Sequence, residues 1–118
     1  MREDLEQYLI TGQEIGMPIV NHCGFEIAHG VRILKPHYHE GPEIVFLLKG
    51  EMSWDFSDGK SLLQRGGTMH FLKPGVLHSP HKSKQTPCHQ AWIVLNPLAK
   101  NALEGTVFRQ ADLEAIHS

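Results

Sequence analysis

Gly30-Val-Arg-Ile-Leu-Lys-Pro-His37-Tyr-His39-Glu-Gly-Pro-Glu43-Ile-Val-Phe-Leu-Leu-Lys-Gly50 is the stretch on which the fold turns. A strand alternates its side chains, so His37 and His39 share one face. Glu43 has the same parity, and Gly41-Pro42 permits a local bend that keeps the three side chains converging. Imidazole and carboxylate together suit first-row divalent metals. Val45 and Leu47 share the face of Glu43, so the polar cluster has an apolar floor, the composition of a small-molecule site. Ile44, Phe46 and Leu48 then point the other way and are too apolar for water, so a second sheet, the terminal helix or another subunit must cover them, and a homodimer is the expectation.

Working outward, Lys35-Pro36 feeds an extended chain into His37. Residues 43–56 read as a hairpin turning at Lys49-Gly50-Glu51, and Asp58-Gly59 signals a second turn. Extended segments are expected over 17–20, 25–34, 61–64, 68–72 and 88–96, separated by Gly and Pro punctuation. Residues 3–10 place Leu5, Tyr8, Leu9 and Ile10 at roughly helical spacing, one or two turns of helix or a loose leader. Residues 109–117 are strong helix formers with Leu113 and Ile116 on one side, a thin apolar stripe that needs a surface to pack on. The chain therefore divides into an N-terminal arm or short helix (1–16), an all-β barrel or jelly roll (17–98) and a C-terminal helical segment (99–118).

Composition narrows the function. The chain has 118 residues, 41% apolar and 20% charged, enough for one core. A net charge of −2 excludes a standing basic footprint for nucleic acid or an anionic membrane. No apolar run approaches the length of a membrane span, and the first residues lack a signal-peptide core, so a cytoplasmic location is expected. Cys23 and Cys88 are too few for a disulfide framework and read as small apolar residues. Phosphate loops, dinucleotide fingerprints, nucleophile elbows and repeats are all missing.

Gly30, His37-x-His39, Glu43 and Gly50 at these separations resemble the first motif of the cupin superfamily. Gly67 followed by Lys73-Pro74-Gly75-x-x-His78 resembles the second, with the usual proline shifted by one and the late asparagine replaced by Lys82. The resemblance covers about residues 25–96 and implies a double-stranded β-helix, the cupin jelly-roll barrel. It adds His78 to His37, His39 and Glu43 as a fourth metal ligand, for Zn, Mn, Fe, Ni, Co or Cu. A narrower likeness, carried by residues 43–54, Lys-Pro-Gly75-x-x-His78 and Pro87-Cys88-x-x-x-Trp92-Ile, is to the N-terminal sensing domain of AraC-type transcription regulators.

That likeness implies a domain that senses a small effector, such as a sugar or similar polar metabolite. Strand parity makes Val45 and Leu47 candidate ligand-binding residues, and His70, Trp54 and Trp92 are further candidates for the pocket wall. DNA would be reached only through an attached domain, with no nucleic-acid or membrane contact from this segment. Catalysis is the second expectation: a stand-alone metal-dependent cupin enzyme of dioxygenase or isomerase type, acting on a small substrate. A non-catalytic binding cupin is the third. Tyr38, between the two histidines, is expected to point away from the pocket.

Overall fold

The computed structural model describes residues 5–37 and 41–117, without the side chains of 83, 116 and 117. Its strands are β1 (Leu5–Thr11), β2 (Val20–Ala28), β3 (Arg32–Ile33), β4 (Glu43–Phe56) and β5 (Ser61–Arg65). They continue as β6 (Thr68–Leu72), β7 (His78–Pro80), β8 (Lys84–Gln85) and β9 (Cys88–Leu95), and α1 (Gln110–His117) follows. All strand pairs are antiparallel.

The fold is built on β4. Residues 43–56 form one strand and not the expected hairpin. Its first half pairs with β6 and β9, in the sheet ordered β1-β2-β9-β4. Its second half pairs with β5 and β7. Each half has its own partners, so the chain gains full ladders by running on. A turn at Lys49-Gly50-Glu51 would have paired the halves only with each other. What the turn signal marks is a bend: the register against β9 slips between Leu47 and Lys49, and Gly50 sits at φ 93°. A side chain there would also meet the Pro87 carbonyl at 2.7 Å, so the bend demands glycine. The result is two sheets sharing one long strand, the jelly-roll arrangement.

The N-terminal segment is a strand, not a helix. Leu5 to Thr11 pair residue for residue with Ala28 to His22. Seven residues cannot sustain an isolated helix, whereas an open edge of β2 supplies a partner for the whole length. Residues 1–4 of the expected arm lie outside the described residues.

Alternation on this sheet sorts side chains into rows. On the inner face, Val45, Leu47, Met52, Trp54, Leu72, Cys88 and Ala28 form the main core. Outside, Tyr8, Phe25, Ala91, Phe46 and Met69 stand opposite one another across five strands, and Cys23, Ile93, Ile44 and Phe71 form a second row. Tyr8 and Met69 are 64% and 63% exposed. The outward, apolar placement expected for Ile44 and Phe46 is thus present and wider than the single strand indicated. Both cysteines are free thiols, and burial pushes the Cys88 thiol pKa up.

α1 covers residues 110–117 as expected. The Asp112 carboxylate accepts from the Arg109 backbone N–H at 2.7 Å, half of a capping box. Leu113 packs on Ile19 and Ala102 in a second small core, which supplies the surface its thin stripe needed. Among the described residues, no helix is long and apolar enough to cross a membrane.

Candidate functional site

Inner-face registers build the site row by row. His22, Val94, Glu43 and Leu72 stand opposite one another; then Gly24, Trp92, Val45 and His70; then Glu26, Gln90 and Leu47. Glu43 and Glu26 are therefore held at two poles, separated by the row of Trp92 and Val45. Between them lies a cavity of ≈480 Å³, within the range of small-molecule sites. Trp54 and Trp92 are among its walls, and β1 closes one side with Gln7, Leu9 and Thr11.

At the first pole, His37 and His78 face each other through their backbones. The His37 N–H donates to the His78 carbonyl at 2.9 Å, and the reverse bond is 2.8 Å. Their rings meet edge-on with centroids 4.2 Å apart, and Trp54 stands 5.7 Å from His78. Each ring is oriented by a carbonyl two residues upstream: His78 Nδ1 lies 3.1 Å from the Val76 oxygen, and His37 Nδ1 lies 3.3 Å from the Lys35 oxygen. A carbonyl only accepts, so each Nδ1 carries a proton, and in the neutral ring Nε2 is the atom that can ligate. His78 is 3% exposed and Glu43 6%, and His78 Nε2 and Glu43 Oε2 are sealed from solvent.

The donor chemistry fits a metal: two imidazoles oriented through Nδ1, and a buried carboxylate, Glu43, that lines the cavity together with His37. Among the described residues no three His, Cys, Asp or Glu side chains gather into a metal group by themselves. His39, the remaining member of the expected set, and Tyr38 lie outside the described residues.

The second pole was not foreseen from the sequence. Glu26, 2% exposed on β2, accepts from Gln7 Nε2 at 3.1 Å, Gln85 Nε2 at 2.7 Å, Arg32 Nη2 at 3.2 Å, and Gln90 Nε2. Arg32 Nε donates in turn to Gln85 Oε1. A buried carboxylate requires hydrogen-bond donors, and these four side chains supply them.

Of the expected ligand-binding residues, Val45, Trp54 and Trp92 line the cavity. Trp54 is fixed by its Nε1–H donating to Gln64 Oε1 at 3.1 Å. Leu47 lies in the core, 1% exposed, and is not in the cavity wall. His70 has inward parity but packs against Phe56, centroids 5.8 Å apart, away from the wall. Burial there pushes its pKa down.

The Cupin domain family model matches residues 25–94. Among solved structures, a protein of Neisseria meningitidis is similar at 23% identity, over 81% of this chain and 89% of that one, with TM-score 0.53. A cupin 2 conserved barrel domain protein from Leptotrichia buccalis matches at 16% identity and TM-score 0.62, covering 81% of this chain and 43% of that one. DMSP lyase DddQ from Ruegeria pomeroyi matches at 18% and 0.62, over 82% and 49%. At these identities the solved structures establish the fold alone. No curated protein sequence matches the chain.

Proposed function

This chain belongs to the cupin domain family, and from that premise we propose that it is a cytoplasmic small-molecule-sensing domain of the AraC type, with a divalent metal in its pocket. His37, His39, Glu43 and His78 would hold the ion, which would supply a Lewis-acidic anchor for a ligand oxygen. The observation that carries the metal is the pair of Nδ1–carbonyl bonds, which orient the His37 and His78 rings so that Nε2 is the ligating atom of each neutral imidazole. Sensing is favoured by β1, which is at once the sheet's edge and a wall of the cavity, so a ligand touches a strand whose position can be transmitted. A homodimer is part of the same reading, supported by the two apolar rows on the outer face.

A metal-dependent enzyme is the second reading. It is supported by the same donor set and by structural neighbours named as a lyase and as an oxalate decarboxylase. The two readings part at the gene: a reading frame running on from Ser118 into a helix-turn-helix pair supports the sensor, and one that stops there refutes it. Metal is tested by elemental analysis of the purified chain. About one ion per chain is expected, reduced severalfold in His78→Ala; well under half an ion in the parent refutes the metal.

A further inference from the structure

We propose that Glu26 is a positioning residue for the metal pole: through Arg32 and Gln85 it fixes the strand that delivers His37. The inference rests on reading His37, His39, Glu43 and His78 as metal ligands, and it concerns residues outside that donor set.

The four donors to Glu26 come from two different sheets. Gln7 on β1 and Gln90 on β9 belong to the main sheet and hold the carboxylate in place. Arg32 on β3 and Gln85 on β8 belong to a separate two-stranded sheet, where they stand directly opposite each other. Gln85 Nε2 donates to Glu26 Oε1 at 2.7 Å, and Arg32 Nη2 donates to Oε2 at 3.2 Å. Arg32 Nε closes the ring by donating to Gln85 Oε1. One buried carboxylate thus grips both strands of the small sheet at a single rung.

That rung is the upstream end of the His37 arm. The β3–β8 ladder and the His37–His78 bridge are two points on one antiparallel ribbon. Leu34, Lys35 and Pro36 separate them on one side. The return from His78 is longer, and it takes up the excess in a 3-10 turn at His81–Ser83, with Lys82 at φ 55°. The two arms are held differently. His78 lies on β7, which pairs with β4 from Trp54 to Phe56. Among the described residues, β3 pairs with β8 alone.

Apolar burial does not hold the His37 arm either. Val31 and Ile33 are 63% and 66% exposed, and over residues 31–36 only Arg32 and Leu34 escape full exposure. Pro36 fixes its own φ and keeps Lys35 extended, so a shift at Arg32 runs down a stiff segment to His37. The same segment carries the Lys35 carbonyl, which orients the His37 ring at 3.3 Å. The carbonyl that orients His78 belongs to Val76, outside this arm. Releasing Arg32 from Glu26 therefore acts on the metal pole through His37.

The test titrates the chelator-stripped whole chain with Co(II), with affinity taken from chelator competition and the ligand field from visible absorption. Glu26→Gln should weaken Co(II) binding by about tenfold or more and alter the absorption band. Arg32→Lys keeps the charge beside Glu26 but cannot bridge it to Gln85; it should act in the same direction with less risk to folding. Leu113→Ala, a cavity in the second core, should lower stability and leave Co(II) affinity at the parent value. In a His37→Ala background, Glu26→Gln should cost no further affinity. Without any metal, the His37 amide, which donates to the His78 carbonyl, should exchange its hydrogen about tenfold faster in both variants, relative to amides of the β4–β9 ladder. The inference is overturned if both variants bind Co(II) like the parent, or if Leu113→Ala weakens binding as much as they do. It is overturned equally if the Glu26→Gln loss persists without the His37 ring, or if the His37 amide exchanges at the parent rate. Those results leave the metal itself standing, whereas a parent chain that binds no Co(II) refutes the metal and this inference together.

Discussion

Glu26→Gln tests whether the second pole is held together as described. The change conserves shape, removes the charge and replaces one acceptor oxygen with a donor nitrogen. Four side chains donate to the native carboxylate. Gln7 and Arg32 are exposed enough to turn toward water. Gln85 and Gln90, 0% and 6% exposed, are not. At least one locked amide then faces another N–H, at about 1–3 kcal/mol for the unpaired group. Loss of the charge-assisted bond to Arg32 adds about 1 kcal/mol after discounting for its partial exposure. The sum is about 2–4 kcal/mol. At about 4 °C per kcal/mol for a domain this size, the melting temperature should fall by about 8–16 °C. Urea unfolding followed by circular dichroism gives the free energy directly. Adding Arg32→Met to Glu26→Gln should cost less than the two single changes summed, by about 0.5–3 kcal/mol, because both report on one interaction. A Glu26→Gln protein within about 0.5 kcal/mol of the parent, or strict additivity in the double variant, refutes the network.

Three further outcomes are expected. Gly41→Ala drives a methyl group into the Leu95 carbonyl, a backbone atom that cannot step aside; it should lower both stability and metal content, and parent-like values of both would refute the tight approach that sets Glu43. His70 has its pKa pushed down by burial, so the unfolded chain takes its proton first. The neutral ring's contribution is therefore complete above the ordinary His value of about 6.5 and is lost as pH falls through the folded value; His70→Asn should flatten that acid-side loss in urea melts taken across pH, and an unchanged slope refutes it. Phe46→Lys places a charge in the middle of an outer apolar row; sedimentation should show the parent at about twice 13.3 kDa and the variant at the single-chain mass, and a monomeric parent refutes the dimer.

Much of the fold was legible because its signals are local. Alternation over 43–48 gave the inward and outward faces of β4, and the observed burial of Val45 and Leu47 against the partly exposed Ile44 and Phe46 follows it. The helix over 109–117 was legible from propensity, and only its docking surface needed the fold, because Ile19 is about ninety residues away. Two elements were misread for one reason. Gly50 carries the composition of a turn and Leu5 to Ile10 the spacing of a helix, yet each became strand because a partner from elsewhere in the chain was available to pair with it. Local propensity is worth tenths of a kcal/mol per residue, and a complete ladder outweighs it.

The site divides along the same line. His37 and Glu43 were singled out by a motif whose fixed spacing survives in one dimension, and His78 by a second motif; the structure sets His37 and His78 side by side and Glu43 in the cavity wall. Glu26 had no such signal. Its partners come from 6, 19, 59 and 64 residues away, and none shares a spacing rule with it. In sequence, Phe25-Glu26-Ile27-Ala28 reads only as part of an extended segment, with no face given to its one charge. The outer row sets that face: Phe25 stands opposite Tyr8 and Ala91 on the side away from the cavity, so parity forces Glu26 inward. Once inside, the carboxylate is tolerable only with a full complement of donors. The three glutamines and Arg32 are the groups that make it so, and the same requirement turns the Gln7 and Gln90 carbonyls outward from Glu26. A buried charge that stabilises nothing by itself thereby fixes which atoms of its neighbours face away from it.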